Sequence, residues 1–186
     1  MHSERNYLPL RFFALACVVL ALLLGMPAHA AETLVNGKKL PTGHAYFVEF
    51  HARRGPHKFG HTFIVYGRLD SHDKIIDAKI IGHSTNDHRY NFLLPTKSSL
   101  HREKHDIPEL SDVIYRVYLN DPEFRQLDSK VRQVGMSQHL WHLIFFNCND
   151  FAGEIAESVG LRRPPSSIVL PTVYVAWLRV LNKASP

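Results

Sequence analysis

The sequence has little cysteine, with only Cys17 and Cys148 among 186 residues. It contains no Cys-x-x-Cys and no His-Glu-x-x-His, the spacings typical of zinc sites. The formal net charge is only +5, and a mild excess of this kind does not indicate a nucleic-acid partner. We therefore expect no metal, no cofactor and no bound nucleic acid.

The first thirty residues have the order typical of a secretion signal. Basic residues precede an apolar run over 12–24, and small residues follow at Ala28 and Ala30. That run is shorter than the roughly 20 residues that a membrane-spanning helix needs. We expect cleavage after Ala30, a secreted or periplasmic product with no lasting membrane anchor, and one domain over 31–186.

Loss of the signal would leave Cys148 as the only cysteine. An intrachain disulfide is then excluded, although exported domains commonly pair their cysteines. The residues alone leave two interpretations open. Cys148 is either a small buried apolar residue or a reactive thiol.

The remaining pattern mixes strand and helix signals. Alternating apolar and aromatic residues predict strands at 45–50, 60–67, 75–81 and 112–119, with a turn at 69–74. Helical spacing appears at 121–134, 148–159 and 171–181, whereas the polar stretch 82–108 reads as a long loop. The prediction is an α+β domain with a small antiparallel sheet and flanking helices.

Cys148 is predicted to be the first residue of a helix. Asn147 suits the N-cap, and Asp150 falls three residues later, where a carboxylate completes a capping box. The positive end of the helix dipole favours a thiolate at Cys148, although the nearby Asp150 carboxylate disfavours it. The first backbone amides of the helix, including that of Cys148, are candidates for an oxyanion hole.

A cysteine nucleophile needs a base, and His61 is the candidate. It opens a predicted strand and lies on the same face as Phe63 and Val65, which we expect to pack against the Cys148 helix. The alternative is an exposed residue at the end of a strand.

A Gly60-His61 strand ahead of an Asn147-Cys148-x-x-Phe151 helix start resembles the circularly permuted papain-like enzymes. This group contains lecithin:retinol acyltransferase and bacterial NlpC-type enzymes. The resemblance implies a papain-like fold in which Cys148 attacks an acyl carbon and His61 acts as general base and then acid. It also implies a third polar residue, often a histidine on the following strand, that orients the imidazole.

His83 is our choice for that third residue. Pairing about the turn at 69–74 brings residues near Gly82 alongside His61. His72 has a spacing from His61 closer to that of the family, but it falls in the turn, at the far end of the strand.

These features together predict an exported thiol hydrolase or acyltransferase. An envelope location favours amide bonds of the peptidoglycan type as substrates, with lipid acyl groups second. One alternative is a non-catalytic binding module of the same fold. Another is a metal-binding protein, since the chain has 13 histidines, including the close pairs His101/His105 and His139/His142.

Overall fold

The computed structural model describes residues 34–35, 45–55, 60–85, 94–102, 106–137 and 140–183. The predicted signal segment lies outside them, as do His57, His105 and His139. The described strands are β1 Leu34–Val35, β2 Tyr46–Arg53, β3 His61–Leu69, β4 Ile75–Thr85, β5 Thr96–His101, β6 Val113–Leu119 and β7 Leu140–Trp141. The described helices are α1 Asp121–Met136, α2 Cys148–Ser158 and α3 Pro171–Leu181. The α+β prediction is confirmed.

The strands form a sheet in the order β1-β6-β2-β3-β4-β5-β7. Strands β2 to β7 pair antiparallel with their neighbours, and β1 pairs parallel with β6. The sheet has more strands than the small one expected from the sequence, because some of its strands lie in segments without a clear apolar alternation.

The prediction of a loop over 82–108 is wrong for residues 82–85 and 96–101, which belong to strands. Strand β4 continues to Thr85, and β5 pairs with it from Gly82↔His101 to Thr85↔Ser98. Strand β5 reads TKSSLH and has one apolar residue, so a hydrophobic period of two is absent from it. Backbone pairing with β4, rather than burial of apolar side chains, defines this strand.

Both faces of β3 are buried. Ile64 and Tyr66 point to the face that packs on the helices, where they share a core cluster with Phe151 of α2. Phe63 and Val65 alternate to the other side and belong to a separate cluster. All three described helices contribute buried side chains to the first cluster, so we call that side of the sheet the helix face and the other side the second face.

The helix boundaries follow local signals in the sequence. Helix α1 begins with a capping box formed by Asn120 and Glu123. Helix α3 starts with a proline at its first turn and buries Tyr174 and Leu178, whereas Trp177 is 42% exposed. No described helix is long and apolar enough to cross a membrane.

Gly67 allows β3 and β4 to approach each other closely. A Cβ at this position would lie 1.9 Å from the backbone oxygen of Asp77, so Gly67→Ala should lower the free energy of unfolding by at least about 2 kcal/mol. The control is Gly135→Ala in α1, whose added Cβ would meet only Leu100 Cδ1 at 3.4 Å. Urea unfolding of both variants checks this, and an equal stability of the two would contradict it.

Candidate active site at the start of the second helix

A capping box fixes the start of α2. The Asn147 side-chain oxygen accepts hydrogen bonds from the backbone N–H groups of Asn149, at 2.7 Å, and Asp150, at 3.3 Å. In return, the Asp150 carboxylate accepts from the Asn147 N–H at 2.9 Å. Cys148 is therefore the first residue of the helix, where the partial positive charge of the helix dipole favours a thiolate.

The same cap reduces the number of backbone amides that could form the expected oxyanion hole. The amides of Asn149 and Asp150 already donate to the Asn147 oxygen, so they are committed to the cap. The amide of Cys148, the other donor considered from the sequence, takes no part in this cap.

By its helical spacing, Cys148 belongs to the stripe of α2 that faces the sheet. Cys148, Phe151, Ala152 and Ile155 follow the spacing of one helix stripe, and the last three are fully buried in the helix-face core. Cys148 is 9% exposed and forms no disulfide. The thiol therefore lies at the end of a packed helix–sheet interface rather than on the open surface.

His83 occupies the same interface from the sheet side. Its ring centroid is 5.0 Å from that of Phe146 and 6.0 Å from that of Phe151, two rings that flank Cys148 in the sequence. The Nε2 atom of His83 is 2.9 Å from the Ser98 hydroxyl on the neighbouring strand β5. His83 is 2% exposed, so packing and this hydrogen bond hold its ring in one orientation.

Polar contacts dock the helix start onto its surroundings. The Thr62 hydroxyl of β3 donates to the side-chain oxygen of Asn149 at 2.6 Å. The side-chain nitrogen of Asn149, Nδ2, donates to the backbone oxygens of Ser167, at 2.9 Å, and Val169, at 3.0 Å. Asn149, the residue after Cys148, is thus bound both to the sheet and to the segment before α3.

His61 lies on the opposite side of the sheet from the Cys148 helix. It shares the second face with Phe63, as expected, and the two rings are 6.3 Å apart. The expectation that this face packs against the Cys148 helix is wrong, because Thr62, Ile64 and Tyr66 face the helices instead. The structure therefore does not bring His61 and Cys148 together through this face.

His61 is instead close to an acidic side chain. Its Nε2 atom is 3.7 Å from Asp106 Oδ1, and Asp106 is fully buried. A Cβ at Gly82 would lie 2.6 Å from His61 Nε2, so glycine is needed for His61 to sit beside β4. The pairing predicted between His61 and the Gly82 region thus holds, but His83 projects to the helix face and does not orient His61.

A second polar network lies on the same face as His61. His51 accepts or donates at both ring nitrogens, 2.9 Å from the Ser111 hydroxyl and 2.9 Å from the Glu49 carboxylate, which also pairs with Arg116. Burial alone would raise the pKa of Glu49, but the hydrogen bond and charge of His51, together with Arg116, lower it below the ordinary value. These contacts satisfy a buried carboxylate and are separate from Cys148.

Two residues at the site have no signal in the sequence. Ser98 contacts His83 from a strand without apolar alternation, and Arg163 pairs with Asp150 from a segment after α2. His72 lies in the turn, as expected, 3.3 Å from the Ser71 hydroxyl. Among the described residues, no three His, Cys, Asp or Glu side chains are grouped as metal ligands would be.

Comparison with known proteins adds no family to this description. No family model, no curated protein and no solved structure matches the chain. The function of this chain must therefore be inferred from the geometry and chemistry of the site.

Proposed function

We propose that this protein is an exported thiol hydrolase or acyltransferase of permuted papain-like architecture, which forms an acyl-enzyme on Cys148. His83 takes the role of base that the resemblance gave to His61. The observation that carries the proposal is the contact of the buried His83 ring with Phe146 and Phe151, the two aromatic residues on either side of Cys148 in the sequence. Thiol catalysis needs an oriented imidazole within reach of the nucleophile, and these two contacts bring the His83 ring to the first turn of α2, which carries Cys148.

The reaction would proceed in two steps. In the first, the Cys148 thiol gives its proton to His83 and attacks the acyl carbon, and the resulting oxyanion is stabilised by the Cys148 amide. The leaving group takes the proton back from His83 as the thioester forms. In the second, His83 removes a proton from water or another acceptor, which attacks the thioester and restores the Cys148 thiol.

The contact with Ser98 supports this role for His83. Since Nε2 of His83 bonds the Ser98 hydroxyl, the proton exchanged with Cys148 would be carried by Nδ1. In that tautomer Nε2 keeps its proton in both the neutral ring and the imidazolium, so it donates to the Ser98 hydroxyl throughout the reaction. Ser98 therefore stands where the third, orienting residue is needed.

Amide bonds of the cell envelope are the first substrate class that we propose. The predicted signal segment would deliver the domain to the compartment where peptidoglycan-type peptides occur. A thiol nucleophile acts on such amides when the leaving amine is protonated, which His83 would do in its acid form.

Lipid or other acyl groups are the second candidate, favoured by exposed apolar residues near the helix start. Ile144 is 49% and Phe145 77% exposed in the turn before Asn147, and Ile168 is 56% exposed in the segment that Asn149 binds. Apolar side chains that remain exposed together are typical of a surface that meets an apolar ligand.

Trapping the acyl-enzyme tests the proposal without a known substrate. The mature domain is incubated with a p-nitrophenyl acyl ester and then digested, and the peptides are analysed by mass spectrometry. We expect one acyl group on the Cys148 peptide and its loss over time to water or to an added amine. Acylation spread over surface lysines, with none on Cys148, would contradict the proposal and favour a non-catalytic binding module.

A further inference from the structure

A carboxylate lies in the first turn of the helix that the proposed nucleophile begins. Asp150 is two residues after Cys148, and its side chain is 7% exposed, so water screens its charge poorly. A negative charge in this position opposes formation of a thiolate. The capping box that fixes Cys148 at the helix start therefore also works against its ionisation.

Arg163 is positioned to cancel that charge. Its guanidinium donates a hydrogen bond to Asp150 Oδ1, while Asp150 Oδ2 accepts from the Asn147 backbone. Both carboxylate oxygens are thus occupied, one by the helix cap and one by a permanent cation. The Arg163 side chain is 30% exposed, so the pair is partly shielded from solvent.

The helix itself makes room for this arginine. A Cβ at Gly153, one turn after Asp150, would lie 2.7 Å from Arg163 Nε and 2.5 Å from the Tyr174 hydroxyl. Glycine is unfavourable inside a helix, and here the space that it leaves is filled by the side chain that reaches Asp150. Three residues therefore make this contact possible: Asp150 accepts the hydrogen bond, Gly153 leaves the space, and Arg163 donates.

We propose that Arg163 is a positioning residue for the Cys148 nucleophile, which cancels the charge of Asp150 and holds this carboxylate on the helix cap. The inference rests on the proposed role of Cys148. Among the described residues, the Tyr174 hydroxyl from α3 lies beside Arg163 and Asp150, and Glu157 further along α2 adds a second negative charge to this region. Burial raises the pKa of Tyr174, which keeps that hydroxyl neutral near physiological pH.

The pH dependence of Cys148 alkylation by iodoacetamide tests this inference. In Arg163→Gln the midpoint should rise by about one pH unit, which slows alkylation about tenfold at pH values below the midpoint. Arg163→Lys should restore part of the shift, because it keeps the charge. Arg162→Gln is the matched control, since Arg162 bonds the Leu181 backbone instead and should leave the midpoint unchanged.

The possible outcomes separate this inference from the proposed function. A wild-type midpoint well below that of free cysteine, unchanged in Arg163→Gln, would overturn the role of Arg163 and leave Cys148 as nucleophile. A wild-type midpoint like that of free cysteine would overturn both. If Arg163→Gln does not fold, Gly153→Ala displaces the arginine while keeping its charge on the chain, and an unchanged midpoint there would equally overturn the inference.

Discussion

Replacement of Cys148 by alanine is expected to abolish acyl transfer and to leave the domain folded. The sulfur is the atom that would form the acyl-enzyme, so turnover of an activated ester should fall by at least about a thousandfold. Cys148 is 9% exposed at the end of the interface, and loss of one sulfur atom should cost about 1 kcal/mol of stability.

Initial rates with a p-nitrophenyl ester and a thermal melt measure the two effects. Cys148→Ser is the companion variant, because it keeps the size of the side chain and tests the need for a thiolate. It should also be inactive, since a serine hydroxyl is ionised far less readily than a thiol. Activity retained in the alanine variant would show that another residue carries the chemistry.

Substitution of His83 by glutamine is expected to slow the same reaction by about a hundredfold or more, whereas His61→Gln leaves the rate nearly unchanged. Loss of a general base costs 10² to 10⁴ in rate. Glutamine fills much of the imidazole volume and can still bond the Ser98 hydroxyl, but it cannot accept a proton. His61 lies on the second face beside Asp106, so its loss should affect stability rather than the rate.

The two histidine variants are matched controls for each other. Initial rates and urea unfolding, measured on both, separate a catalytic effect from a structural one. We expect His61→Gln to lower stability by about 1–3 kcal/mol, because Asp106 would lose the imidazole while remaining fully buried. A large loss of rate in His61→Gln with none in His83→Gln would restore the assignment implied by the family resemblance.

The helix that carries Cys148 was predictable from the sequence because its signals are local. Asn147 and Asp150 specify the start of α2 through side chain to backbone hydrogen bonds within one turn. Gly160 ends the segment with a φ of 78°, a backbone conformation that favours glycine. Capping and left-handed turns depend on few neighbouring residues, so the order of residues alone reveals them.

The histidine that shares the helix face with Cys148 was not predictable in the same way. Alternation along β3 shows that His61 and Phe63 share a face, but both faces of this strand are buried, so no polar row marks the side that meets solvent. Which face receives the helices depends on tertiary packing. The sequence therefore identified His61 and His83 as candidates and placed His61 correctly with Phe63, but it assigned the Cys148 helix to the wrong face of the sheet.

Strand β5 illustrates a second limit. Its sequence has no hydrophobic period, yet it supplies Ser98, which contacts His83 at 2.9 Å. A strand held mainly by backbone hydrogen bonds to β4 leaves little trace in side-chain polarity. The contact of Arg163 with Asp150 also leaves no local signal in the sequence, because the two residues are 13 positions apart.

The rate of Cys148 alkylation by iodoacetamide across pH, in the wild-type domain and in His83→Gln, shows whether these two residues form one catalytic unit. We expect a wild-type midpoint well below the unperturbed value of about 8.5, and a clear upward shift when His83 is replaced. A thiol that stays unreactive in the folded wild type, or an alkylation midpoint that is the same in His83→Gln, would contradict the claim that Cys148 and His83 form one catalytic unit.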